Sequence, residues 1–189
     1  MTSRSSARRT ALWLALAACT ALVPATAAVA AAQDTGAGLI PRADLFGNPD
    51  KTAAQISPDG KWIAYIAPKD GVLNVWVAPV GDLGAAKPVT SATERPIRQM
   101  FWANNSAVIL YLNDKGGDEN FLLYSADPAT GENKLITDFP NTRVIPFGGS
   151  ETRVDEIVIG MNNRDPKWFD PYLLNTRTGE LTKIADNTT

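Results

Sequence analysis

Several stretches carry residue types that could do chemistry. The acidic, glycine-rich run Asn113-Asp114-Lys115-Gly116-Gly117-Asp118-Glu119-Asn120 offers oxygen ligands, which would suit calcium. Its spacing departs from the calcium-loop pattern and Lys115 stands in its middle, so a solvated hairpin loop is expected instead. Arg164-Asp165-Pro166-Lys167-Trp168-Phe169-Asp170 sets two aromatics among charges. Such a loop could line a ligand mouth or cap the edge of a sheet, and the edge is the preferred reading. Gly148-Gly149-Ser150 lacks the G-x-S-x-G spacing of a nucleophile elbow and reads as a turn. Ser57 has turn residues around it and no base partner, so it too reads as structural.

What is missing is more decisive. The chain has no histidine, and its single cysteine, Cys19, lies in the N-terminal apolar segment. A Ser-His-Asp triad needs an imidazole as general base, so these residues cannot supply one. A mature chain without Cys19 has no disulfide, no thiol nucleophile and no soft metal site. No phosphate loop and no pair of carboxylates stands out. The sequence therefore nominates no catalytic, cofactor-binding or metal residue, and no cofactor.

The elements that would position any site come from a repeat. Tyr124-Ser-Ala-Asp127-Pro-Ala-Thr130-Gly131-Glu132 returns as Tyr172-Leu-Leu-Asn175-Thr-Arg-Thr178-Gly179-Glu180, about 48 residues later. Each copy ends an apolar run and opens a short one, and Asp or Asn followed by Gly is turn chemistry. Upstream, Ile56-Ser-Pro-Asp-Gly-Lys-Trp62-Ile63-Ala64-Tyr65 aligns with Trp102-Ala-Asn-Asn-Ser-Ala-Val108-Ile109-Leu110-Tyr111 at about 46 residues.

Three units of about four strands follow, over 52–90, 97–137 and 144–184. The first has strands at Ala54–Ile56, Trp62–Ala67, Asn74–Val80 and Pro88–Thr90, with Lys69-Asp-Gly71 as a hairpin turn. The second has Arg98–Trp102, Ala107–Leu112, Phe121–Ala126 and Lys134–Thr137; the third has Val144–Phe147, Glu156–Met161, Pro171–Leu174 and Leu181–Ile184. The second strand of each unit is apolar on both faces, as in Val108-Ile109-Leu110-Tyr111. A half-exposed sheet would alternate, whereas a blade stacked between two others is buried on both sides. Trp62, Trp76 and Trp102 fall in strand runs and are expected in the core. The fold class is all-β: about three four-stranded antiparallel blades of an incomplete β-propeller, preceded by a helical signal segment.

Residues 1–32 have the layout of an export signal. Arg4, Arg8 and Arg9 precede an apolar core from Ala11 to Val23, and small-residue cleavage sites follow near Ala30. The core is short for a membrane span and Pro24 interrupts it. Leu16-Ala17-Ala18-Cys19 resembles a lipoprotein box that would tether the chain through Cys19; the plainer reading, a small apolar residue of the signal, is preferred. Residues 33–51 form a lead-in in which Arg42-Ala-Asp-Leu-Phe46 makes a helical turn, and 52–189 is the partial propeller. An exported, periplasmic or secreted protein is expected. Net charge is −2, and loss of residues 1–32 removes three arginines and no acid, leaving 15 basic against 20 acidic residues. With no basic stripe, nucleic acid is not an expected partner.

Leu39-Ile40-Pro41-Arg42-Ala43-Asp44-Leu45-Phe46-Gly47-Asn48-Pro49, followed by the Ile56–Tyr65 segment, resembles the start of exported bacterial prolyl oligopeptidase family peptidases, in particular the acylaminoacyl-peptidase-like branch. Lys115–Asn120, Asn163–Asp170 and the two Thr-Gly-Glu turns resemble the first blades of that family's propeller. The resemblance implies an N-terminal propeller of about seven or eight blades over a C-terminal α/β-hydrolase domain. That domain carries serine in a G-x-S-x-G-G elbow, then Asp and His. None of these catalytic residues has a counterpart here. The chain then reads as a fragment, gating short peptides toward a hydrolase domain it lacks. The alternative is a non-enzymatic periplasmic propeller that binds a protein or peptide. An open arc of blades leaves about five large apolar side chains wet, at about 1.5–3 kcal/mol each. The isolated mature chain is therefore expected to be marginal, oligomeric or aggregating.

Overall fold

Turn residues at matching places in each repeat cut the chain into strands of three to ten residues, except for one outer strand of two. The structure, a computed structural model, describes residues 40–47 and 50–188. The signal segment with Cys19, and residues 33–39 and 48–49 of the lead-in, lie outside the described residues. Residues 40–47 and 50–188 belong to separate units, and the first holds the five-residue helix α1 (Arg42–Phe46).

The second unit is three antiparallel four-stranded sheets, each with its strands in sequence order. The first sheet is β1 (Thr52–Ile56), β2 (Trp62–Lys69), β3 (Val72–Pro79) and β4 (Lys87–Pro88). The second is β5 (Gln99–Trp102), β6 (Ile109–Asn113), β7 (Leu122–Ala126) and β8 (Asn133–Leu135). The third is β9 (Val144–Gly149), β10 (Glu156–Asp165), β11 (Trp168–Asn175) and β12 (Leu181–Lys183). The two Tyr–Thr-Gly-Glu copies thus end the third strands of neighbouring sheets, as the repeat requires.

The repeated turns match bond for bond. Asp127 Oδ1 accepts from the N–H groups of Ala129 (2.7 Å) and Thr130 (2.9 Å), and Thr130 Oγ1 accepts from Glu132 N–H at 3.1 Å. Asn175 Oδ1 accepts from Arg177 (3.0 Å) and Thr178 (3.1 Å), and Thr178 Oγ1 from Glu180 at 3.2 Å. Gly131 and Gly179 both sit in the left-handed region, at φ 78 and 77. A side chain there would meet the following carbonyl, which is why this turn position is glycine in both copies. The turns after the first strands also correspond. Gly60 N–H donates to Ser57 O, and Ser106 N–H to Ala103 O, both at 2.8 Å.

Two apolar clusters hold the sheets face to face. Ala64, Ile66, Val75 and Val77 of the first sheet meet Met100, Trp102, Ile109 and Tyr111 of the second. Leu110, Leu112 and Leu123 of the second meet Val144, Ile157, Ile159 and Met161 of the third. Alternate residues of β6 therefore serve opposite clusters, which explains a strand apolar on both faces. Of the tryptophans expected in the core, Trp102 is buried. Trp62 is half-buried against the first cluster, and half-buried Trp76 donates its indole N–H to Ala67 O at 3.1 Å.

Several strand limits differ from expectation. β6 starts at Ile109, not Ala107, because Asn105 Oδ1 holds Ala107 N–H at 2.9 Å and extends the turn. β4 stops at Pro88, and Thr90 Oγ1 takes over as acceptor of Val75 N–H at 2.9 Å. β11 starts at Trp168, three residues before the expected proline. Pro171 fits inside it because its carbonyl points toward β12, where Ile184 N–H donates at 2.9 Å. Its nitrogen faces the same side, past the last β11–β12 residue pair, where no ladder bond is demanded. In the second sheet the same place is filled differently, with Leu123 N–H donating to Thr137 Oγ1 at 2.9 Å. In the third repeat the donor is a proline and the residue at the threonine position is Ala185, so both partners vanish together.

Candidate functional site

The stretches singled out for chemistry turn out to be internally tied. Asp114 is buried just past the end of β6, where its Oδ1 accepts from Arg95 Nε at 3.0 Å and its Oδ2 from Glu119 N–H at 3.3 Å. These bonds hold its carboxyl below the ordinary aspartate range despite burial. Asp118 accepts from its neighbour Asn120, through backbone N–H at 3.1 Å. The tip, Lys115 to Glu119, is exposed. Among the described residues, no group of three or more His, Cys, Asp or Glu side chains is placed to hold a metal ion.

Arg164–Asp170 is mostly strand, with a two-residue turn at Pro166-Lys167. Trp168 and Phe169 are half-buried within β11 and do not stand free in a loop. Asp170 is fully buried. Arg164 grips it with two bonds, Nε to Oδ2 at 2.7 Å and Nη2 to Oδ1 at 2.9 Å, and Lys183 Nζ stands 2.9 Å from Oδ2. The Arg164 and Lys183 bonds push the Asp170 carboxyl far below its ordinary value. This cluster anchors the long β10–β11 hairpin and the segment after β12, whose Asn187 N–H also donates to Asp170 at 2.8 Å. Ser57 is buried, with its hydroxyl donating to Asp59 Oδ1 at 2.6 Å and accepting from Trp62 N–H at 3.0 Å. That Ser57 bond is the main reason Asp59 is lowered to about 2. Ser150 is exposed beside Thr152 (Oγ to Oγ1, 2.9 Å), just past β9, which is bulged near Phe147.

One feature suited to a ligand was not nominated by any motif. A cleft of about 410 Å³ opens between the second and third sheets. It is lined by Arg98 and Arg143 together with Leu112, Phe121, Ile145 and Pro146. Each arginine is the residue just before its sheet's first strand, Arg98 before β5 and Arg143 before β9. Arg98 and Gln99 are both exposed between buried Ile97 and Met100, and Thr142 and Val144 are buried around exposed Arg143. Arg143 N–H donates to Asn162 Oδ1 at 2.6 Å, and Val144 N–H to Phe121 O at 2.9 Å. These bonds bring the Arg143 guanidinium over the Phe121 ring, 5.7 Å from its centroid. Among the described residues neither Arg98 nor Arg143 takes part in an ion pair, whereas nearby Arg95 is neutralised by Asp114. The arrangement can hold an anion against an apolar wall. Its lining contains no nucleophile or base. The only sequence signal for it is a pair of arginines, Arg98 and Arg143, each just before a sheet's first strand in a chain with more acids than bases.

No protein-family model matches the chain. It is 44% identical over 158 residues to dipeptidyl aminopeptidase BIII of Pseudoxanthomonas mexicana, covering 84% of this chain and 23% of that protein. It is 31% identical over 160 residues to dipeptidyl peptidase family member 6 of Caenorhabditis elegans, covering 79% of this chain and 21% of that one. The chain thus spans under a quarter of the length of the curated relatives it matches. Among solved structures it resembles the β-propeller domain of the trilobed protease from Pyrococcus furiosus. There the TM-score is 0.53 at 22% identity, over 74% of this chain and 44% of that one. At that identity the likeness speaks for the propeller fold. Among the described residues no helix is long and apolar enough to cross a membrane.

Proposed function

We infer that this chain, the N-terminal propeller portion of a prolyl oligopeptidase family peptidase, controls which peptides reach a hydrolase active site carried outside residues 1–189. The observation that carries the reading is the 44% identity to a dipeptidyl aminopeptidase, falling on a chain built as stacked blades. The full-length protein would be an exported serine peptidase acting on short peptides, and residues 1–32 would be its signal. Within it the blades contribute shape and charge. The bond-breaking step belongs to a serine, an aspartate and a histidine elsewhere, since the chain holds no histidine.

The gene supplies the first test. An in-frame or adjacent coding stretch with G-x-S-x-G-G, Asp and His supports the reading; further blades followed by a stop codon favour a binding propeller. At the protein level, the full-length polypeptide should release dipeptides from peptide anilides and lose that activity to a serine-directed fluorophosphonate. Residues 33–189 alone should release nothing.

A further inference from the structure

We propose that the Arg98–Arg143 cleft binds the free C-terminal carboxylate of a short peptide whose last side chain is apolar. The proposal rests on the peptidase reading for its choice of a peptide, but the chemistry comes from the cleft.

Arg98 and Arg143 both line the cleft, neither in an ion pair among the described residues, and give it a positive character in a chain with more acids than bases. A cleft of that sign draws anions and repels the ammonium at a peptide's amino end. Guanidinium groups suit carboxylate in particular, because their forked donors match its two oxygens. Apolar residues line the cleft with them: Leu112 is buried, Phe121 and Pro146 are half-buried, and Ile145 is partly exposed. A carboxylate with an apolar side chain on the adjoining carbon meets both surfaces at once. A volume of about 410 Å³ accommodates one or two residues, near the lower end of small-molecule sites. The Arg143 backbone is pinned by Asn162 and its head rests on Phe121, so little freedom is left to lose on binding. The cleft would then hold the carboxyl end of a peptide whose amino end is processed elsewhere.

The test uses the full-length polypeptide and two probes with blocked amino ends, N-acetyl-Ala-Phe and its C-terminal amide, titrated by calorimetry. The acid should bind about tenfold tighter than the amide, and added salt should shrink the gap. Arg98→Gln with Arg143→Gln should abolish the preference, and the paired lysine substitutions should restore part of it. Both side chains are exposed, so an unchanged melting curve verifies folding of each variant. Decanoate, an apolar acid with no peptide group, should bind more weakly than N-acetyl-Ala-Phe. Equal binding of acid and amide overturns the proposal, as does discrimination that survives the double glutamine variant or decanoate that matches the peptide acid. Anilide turnover is read separately: if it is absent while the acid preference persists, the peptidase reading fails and the cleft does not.

Discussion

The second and third sheets are copies of one unit that differ in what covers them. The second is clamped on both faces, with Ile109 and Tyr111 in one cluster and Leu110 and Leu112 in the other. Among the described residues, the third has a neighbouring sheet on one face only. Ile157, Ile159 and Met161 turn inward, so alternation puts Val158 and Gly160 of β10, and Phe169 and Leu173 of β11, on the opposite side. Phe147, 56% exposed, folds back over that side; a Cβ on Gly160 would stand 2.6 Å from its ring. The contrast teaches that a blade's stability resides in its neighbours more than in its own ladder, as expected for stacked repeats.

Four sets of substitutions break or sharpen this contrast. The largest effect is expected from Leu110→Ala, at the doubly covered sheet: about 2–5 kcal/mol lost in chemical denaturation. Phe147→Ser, on the face without a neighbouring sheet, should cost less than Leu110→Ala, because more than half of that ring is already exposed. If the two cost the same, the difference in cover is not what matters.

A smaller loss at neutral pH is expected from Asp170→Asn, which strips the anion between Arg164 and Lys183. Its sharper signature is in pH. The folded carboxyl is depressed below its unfolded value of about 3.9. The stability it contributes is therefore full above that value and is lost as pH falls toward the folded one. Melting temperature against pH should be flatter below pH ~4 in the variant than in the parent.

Next, Thr137→Val leaves the buried Leu123 N–H without its acceptor and should cost about 1–3 kcal/mol. Ala185→Thr, at the matching place in the third sheet, should gain nothing, because Pro171 has no N–H to offer. A stabilising Ala185→Thr would contradict the account of why proline is tolerated there. The smallest difference is expected between Gly131→Ala and Gly179→Ala. Each should cost about 1–2 kcal/mol, and the two should agree within about 0.5 kcal/mol if the turns are energetically as equivalent as their bonds.

Local patterns were legible where short-range chemistry decides the outcome. The repeat, the Asp/Asn–Thr-Gly turns, the order of strands and the doubly apolar β6 all follow from side-chain types at fixed spacing. Strand limits were less so. Nothing in Pro171 itself announces that its nitrogen faces past the last β11–β12 pair, or in Thr90 that its hydroxyl will replace a carbonyl. Trp168 and Phe169 read as a loop because their charged neighbours suggested solvent, whereas Asp170 is buried and held by Arg164 and Lys183. The site was the least legible part, since Arg98 and Arg143 belong to no motif.

Composition alone ruled out an imidazole-dependent reaction by these residues, and periodicity alone required a stack of four-stranded sheets. Both are properties of the chain that survive any folding. Which arginines stay outside ion pairs, which carboxylates are gripped, and where a cleft opens depend on groups far apart in the chain meeting across strands and sheet boundaries. Only the packing of one sheet on the next settles those distances. Hydrogen bonds and charge pairs weaken within a few ångströms, and the order of residues does not encode separations that fine.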